Sequence, residues 1–177
     1  MHARRPLRLC NRRLSALGIT AFVTSGEAGP FELGTDGPTV ILVGIDGSIT
    51  SLRAGAYAAG LARRQRARLV AVYVGALSSM SAAASGTASL AAVQYQAFEQ
   101  TAAGLRHQAE EAARERGISI TFIATRGEPF AELRRIAGEV RADAVVVGAS
   151  AKAGHRLVGS LAVRLVRAGQ WPVTVVP

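Results

Sequence analysis

Two short stretches of this chain carry residue types suited to holding an anion. Near the C terminus a run of aliphatic residues, Ala144-Val145-Val146-Val147, stops at Gly148-Ala149-Ser150. After a loop containing Ala151, Lys152, Gly154, His155 and Arg156, Gly159-Ser160 opens an amphipathic segment. A β-branched run that stops at glycine and meets a hydroxyl at a helix start leaves several backbone N–H groups facing one concave space. Such amides, together with the positive end of the helix dipole, suit phosphate. The second stretch is Val43-Gly44-Ile45-Asp46-Gly47-Ser48, another aliphatic run that ends in an acidic side chain. In an open α/β sheet, ligands bind beyond the carboxyl ends of the strands, where the winding reverses. If these two strand ends are neighbours, Asp46 and the Gly148–Ser160 turn face one crevice.

Other chemistries find little support. Cys10 is the single cysteine, so no internal disulfide forms, and His2, His107 and His155 have no metal-ligand spacing. No nucleophile with a base and no pair of differently tuned acids stands out. The first strand's turn has neither a Walker loop with its Lys nor a Ser-Gly-Gly-x-Asp-Ser loop. The chain is therefore expected not to be an enzyme.

The elements that must position these stretches follow from periodicity. Thr39–Ile45 reads as a strand buried on both faces. Ser48, Thr50 or Ser51 caps a helix over about 51–66, with Leu52, Ala56, Ala59 and Ala62 on its apolar side. Leu69–Val74 is a second strand, and 75–90 is a small-residue segment able to lie over the crevice. A long helix over about 91–116 places Phe98, Ala102, Leu105, Ala109 and Ala112 on one face, with Gly117 as its stop and His107 on its wet side. Ile118–Thr125 is a third strand. Gly127-Glu128-Pro129 opens a helix whose Leu133, Ile136, Ala137 and Val140 pack on the sheet. Asp143–Val147 is strand four. The helix from Ser160 carries Leu161, Val163, Leu165 and Val166 on its apolar side and Arg164 and Arg167 as surface groups. It ends at Gly169, before a final strand Pro172–Val176. Strands alternating with helices predict a parallel sheet of five strands with helices on both faces.

At 177 residues with 49% hydrophobic content and few aromatics, the chain fits one domain with an aliphatic core. The net charge is +9, but its arginines are spread out with no basic block after residue 13, so no specific nucleic-acid partner is expected. No run reaches the roughly 18 apolar residues of a membrane span. Residues 1–36 are basic and then glycine-rich. They are expected to be a disordered extension or a start placed too far upstream, with 37–177 the folded domain and the cytoplasm its location.

In order and spacing, Val43–Ser48, Gly127-Glu128-Pro129, Asp143–Gly148, Gly159-Ser160 and Pro172–Val176 resemble the universal stress proteins. The resemblance implies strand order 3-2-1-4-5, an adenine nucleotide alpha hydrolase-like fold, and a homodimer paired through strand 172–176. It also implies a bound adenine nucleotide (ATP, or AMP or cyclic AMP), with or without Mg, and a stress-response role exerted on an unknown regulatory protein partner. Carried over by position, Gly44, Ile45, Asp46 and Val74 surround the base and ribose. Gly148, Ser150, Gly159 and Ser160 surround the phosphates, and Leu161 and Ala162 add helix-start amides. Nucleotide-binding members carry Gly, two residues, Gly, nine residues, then Gly with Ser or Thr. Here Ala151 stands at the second glycine and Gly159 arrives two residues early. Two readings stay open beside the nucleotide binder: a nucleotide-independent dimeric stress scaffold with a degenerate pocket, and a weak ATP hydrolase. Asp46 likewise contacts a ligand or merely closes an Asx turn, and Ser160 is a phosphate contact or a plain N-cap.

Overall fold

The computed structural model describes residues 37–76, 88–150 and 160–177. In chain order the elements are β1 (Val40–Ile45), α1 (Ile49–Gln65), β2 (Arg68–Ala76), α2 (Ala88–Arg116), β3 (Ile120–Gly127), α3 (Pro129–Glu139), β4 (Ala144–Gly148), α4 (Ser160–Ala168) and β5 (Val173–Val176). The sheet order is β3-β2-β1-β4-β5, with every pairing parallel. The winding reverses at β1, which pairs with β2 on one side and β4 on the other. The expected strand order is therefore the observed one, and the ends of β1 and β4 are neighbours.

Strand alternation builds two cores. Ile41, Val43, Leu69, Ala71 and Val146 point to the α1 and α2 side, while Leu42, Val70, Val72, Val145 and Val147 point to α3 and α4. The aliphatic runs of β1 and β4 are continuous because both of their faces are covered.

Two helix faces differ from expectation. The buried stripe of α1 is Ser51, Ala54, Ala58, Ala59 and Ala62, whereas Leu52 is 47% exposed. Small side chains let α1 lie close on the sheet, so the close-packed face is the alanine face and not the more apolar one. In α4 the buried residues are Ala162 and Leu165, and Val166 is exposed. β3 begins two residues later than its apolar pattern suggests and runs to Gly127.

Asp143 precedes β4 and does not belong to it. Its Oδ2 accepts hydrogen bonds from Thr39 N–H (2.8 Å), the Thr39 hydroxyl (2.7 Å) and Val40 N–H (2.9 Å), clasping the start of β1 to the start of β4. Burial pushes this carboxyl upward, but the Thr39 hydroxyl and the two amides outweigh it and hold its pKa below the ordinary value. A carboxyl with a lowered folded pKa adds stability that is fully present above its unfolded pKa of about 4 and is lost as pH falls through the folded value. Asp143→Asn is therefore expected to lose about 1–2 kcal/mol at pH 7, the low end for bonds to a charged group because the clasp is part-exposed. Urea unfolding from pH 7 down to pH 3 should show that deficit shrinking as the wild-type carboxylate is protonated.

Candidate functional site

The turn after β1 is held by short-range hydrogen bonds. Ser48 N–H donates to Asp46 Oδ1 (2.9 Å), Asp46 N–H donates to Ser51 Oγ (3.2 Å), and Ser51 Oγ–H donates to the Ser48 carbonyl (2.9 Å). Ser48 caps α1, its Oγ accepting from Ser51 N–H. Gly47 adopts φ 81°, a left-handed state that a side chain would disfavour. The chain thus turns through two residues, and the Asp46 carboxylate is left exposed at the end of β1. Partial burial pushes its pKa up, but hydrogen bonds from Ser48 and Ser51 prevail and lower it, so the group is ionised near neutrality.

Gly148 ends β4 where the first turn of α1 crosses it. A Cβ at Gly148 would lie 2.6 Å from the Thr50 carbonyl carbon and 2.7 Å from Ser51 N. This glycine is required by backbone against backbone, whatever a ligand does. At Gly44 a Cβ would stand 3.4 Å from Leu133 Cδ1 and 3.5 Å from Val147 Cγ1. A side chain there would touch Leu133 and Val147 at once.

These features surround a cavity of about 510 Å³, within the range typical of small-molecule sites. Gly44, Ile45, Asp46, Val74, Gly148, Ser150, Ser160, Leu161 and Ala162 all line it. The residues singled out in the sequence are therefore brought to one place, with one exception: Gly159 lies outside the described residues, as do Ala151, Lys152, Gly154, His155, Arg156 and residues 77–87. Sheet order makes the cavity graded. Its β2 end is apolar, with Val72 and Val74, and its β4 end meets the start of α4, with Ser150 and Ser160. Asp46 sits between these ends, just past β1.

Several lining residues were not read as site residues. Ser48 and Thr50 were visible only as capping candidates. Pro129 and Leu133 signal a helix start and a core face, Val72 and Val147 ordinary strand, and Ala149 only the stop after strand four. A wider hollow of about 850 Å³ lies along α3 and α4, lined by Phe130, Arg134, Arg164 and Trp171. It holds no carboxylate and lies away from the strand ends, so the smaller cavity is the better candidate. Arg164 is an exposed group as expected, and its guanidinium pairs with Glu128 at 2.6 Å. Among the described residues there is no cluster of three His, Cys, Asp or Glu able to hold a metal ion. No described helix is long and apolar enough to cross a membrane.

Residues 39–177 match the profile of the universal stress protein family. The chain belongs to that family. A protein of the universal stress protein family from Burkholderia pseudomallei is similar at 27% identity and TM-score 0.63, over 78% of this chain and 96% of the other. The universal stress protein UspA from Lactobacillus plantarum is similar at 25% identity and TM-score 0.66, over 78% and 97%. A universal stress protein solved in complex with cAMP is similar at 28% identity and TM-score 0.60, over 79% and 97%. A search of curated proteins returned no match. The fold of this universal stress protein is thus the five-stranded parallel sheet of order 3-2-1-4-5 that the resemblance implied.

Proposed function

We propose that this protein binds an adenine nucleotide in the crevice between β1 and β4 and acts as a regulatory protein of the stress response. The observation that carries the reading is the convergence of an ionised carboxylate, a glycine-floored apolar slot and a helix start around one cavity. The apolar β2 end suits a purine. The amides at the start of α4 suit phosphate, and the dipole of that helix favours negative charge there. Among the described residues Asp46 spends only Oδ1 on its turn, which leaves Oδ2 to accept a ribose hydroxyl or an exocyclic amine. The Asx turn and the ligand contact are thus compatible uses of one side chain. The cAMP complex of the 28%-identical universal stress protein supports the ligand class. AMP or a cyclic nucleotide fits a shortened Gly148–Gly159 loop more easily than ATP does. With one carboxylate among the described residues lining the crevice, Mg²⁺ would be held chiefly by nucleotide phosphates and water, as is usual for that ion.

Calorimetry with AMP, cyclic AMP and ATP tests the reading. Binding by the wild type, weakened about tenfold in Asp46→Ala, is the expected result. No heat with any of the three nucleotides favours the alternative, a nucleotide-independent dimeric stress scaffold acting on protein partners. ATP turnover is expected to be slow, since general acid–base chemistry needs a positioned base and none of the described residues lining the cavity supplies one beyond Asp46.

The scaffold and sensor readings share a homodimer through β5. This strand is a half-exposed apolar edge, paired only with β4. The Pro172 and Val176 carbonyls accept from Val145 and Ala149, so by two-residue alternation Val173 and Val175 turn their backbone groups to the free edge. Val175→Pro removes an outward N–H while sparing the β4 ladder. Light scattering is expected to show a dimeric wild type and a monomeric, folded variant. A monomeric wild type removes the dimer from the proposal.

A further inference from the structure

Two helices begin beside the cavity from opposite chain segments. Pro129 and Leu133 of α3 line one wall, and Ser160, Leu161 and Ala162 of α4 line another. Just outside, a single carboxylate joins them. Glu128 is the N-cap of α3, with Oε1 accepting from Phe130 N–H (3.3 Å) and Oε2 from Ala131 N–H (2.9 Å). The same two oxygens accept from Arg164 Nη1 (2.6 Å) and Nη2 (3.3 Å), a bidentate pair reaching one turn into α4. The Arg164 guanidinium also stands 4.2 Å from the centroid of the Phe130 ring, the second residue of α3. Planarity makes one Arg able to serve both contacts, which Lys cannot do.

Both side chains are 49% exposed, and an isolated surface ion pair adds little to global stability. This pair differs in what it joins. Helix α4 spans only nine residues, too few to hold itself in place without tertiary contacts, and its inward packing rests on Ala162 and Leu165. The Glu128–Arg164 link fixes the other side of that short helix to the rigidly capped start of α3.

We infer that the Glu128–Arg164 pair is the positioning element of the crevice: it holds the α4 helix start against α3 and so sets how well the cavity is preorganised for its ligand. The inference rests on the nucleotide-binding reading for its effect on affinity, and on geometry alone for its effect on α4. Neither residue is among those lining the cavity. Rigidity at a site saves ordering cost on binding and therefore appears as affinity.

The test uses the full chain as wild type, Glu128→Gln, Arg164→Gln, the double variant and Arg164→Lys. Two readouts are taken: AMP affinity by calorimetry, and amide exchange at Arg164–Arg167 in the nucleotide-free protein, since those amides bond to the carbonyls of the first α4 turn. Each single variant is expected to bind about fivefold more weakly, the double no more weakly than either single, and Arg164→Lys in between. Exchange at Arg164–Arg167 should quicken about fivefold, while the melting temperature stays within about 2 °C of the wild type. Wild-type affinity in Arg164→Gln, or losses that simply add, overturns the inference while leaving the site reading intact. If the wild type binds no nucleotide, exchange alone decides: faster exchange in the variants upholds the link while the site reading falls, and unchanged exchange removes both.

Discussion

Gly148→Ala is expected to cost about 3 kcal/mol of unfolding free energy, the upper part of the range for an overpacked site. The new methyl would sit 2.6–2.8 Å from Thr50 C, Ser51 N and Thr50 O, all of them backbone atoms. A flexible side chain could rotate away from such a contact. Here the first turn of α1 must move, and that turn is tied to Asp46 and Ser48 by the hydrogen bonds of the β1 turn. Strand β4 is no freer, because β1 and β5 flank it. Urea unfolding measures the loss. A change below about 0.5 kcal/mol, the level of an ordinary surface substitution, would mean that α1 and β4 do not cross as closely as described. Because the same turn carries Asp46, nucleotide affinity should fall together with stability in this variant.

Gly44→Val separates the two properties. Valine is favoured in strands, and its Cβ meets only side-chain atoms, Leu133 Cδ1 and Val147 Cγ1, at 3.4 and 3.5 Å. Its methyl groups extend past that contact into the cavity that Gly44 lines, between the apolar β2 end and the phosphate-suited α4 end. Stability is expected to fall by about 1–2 kcal/mol, because Leu133 and Val147 must shift to admit the methyls. Affinity for adenine nucleotides is expected to fall by about 100-fold or more, because a blocked slot leaves no place for the base. Calorimetry beside urea unfolding reads both. Undiminished affinity in a normally folded variant would place the nucleotide elsewhere and reject the β1–β4 crevice.

The sequence was most legible where one local rule is enough. The β1 and β4 runs read as buried strands because each is unbroken by a polar residue, as a strand covered on both faces requires. Pro129 after Glu128 marked a helix start, and Gly117 and Gly169 marked stops, both now seen with φ 62°. It was less legible where packing decides. Leu52 looks like a core residue by hydrophobicity, yet the alanine stripe of α1 is what lies on the sheet. Asp143 looked like the first residue of a strand and acts as a clasp, because its partners Thr39 and Val40 are about a hundred residues away.

By itself the sequence determined the kinds of elements, their order, and the two strand ends that carry the candidate site residues, because patterns of period 2 and 3.6 and the chemistry of glycine, serine and aspartate are properties of short segments. Only the tertiary structure decided that nine of those residues share one cavity, that Gly148 is required by a backbone crossing, and that Arg164 closes on Glu128 across 36 residues. The physical reason is distance along the chain. Contacts between remote segments depend on how the sheet orders its strands and how closely its helices settle, and neither leaves a local mark.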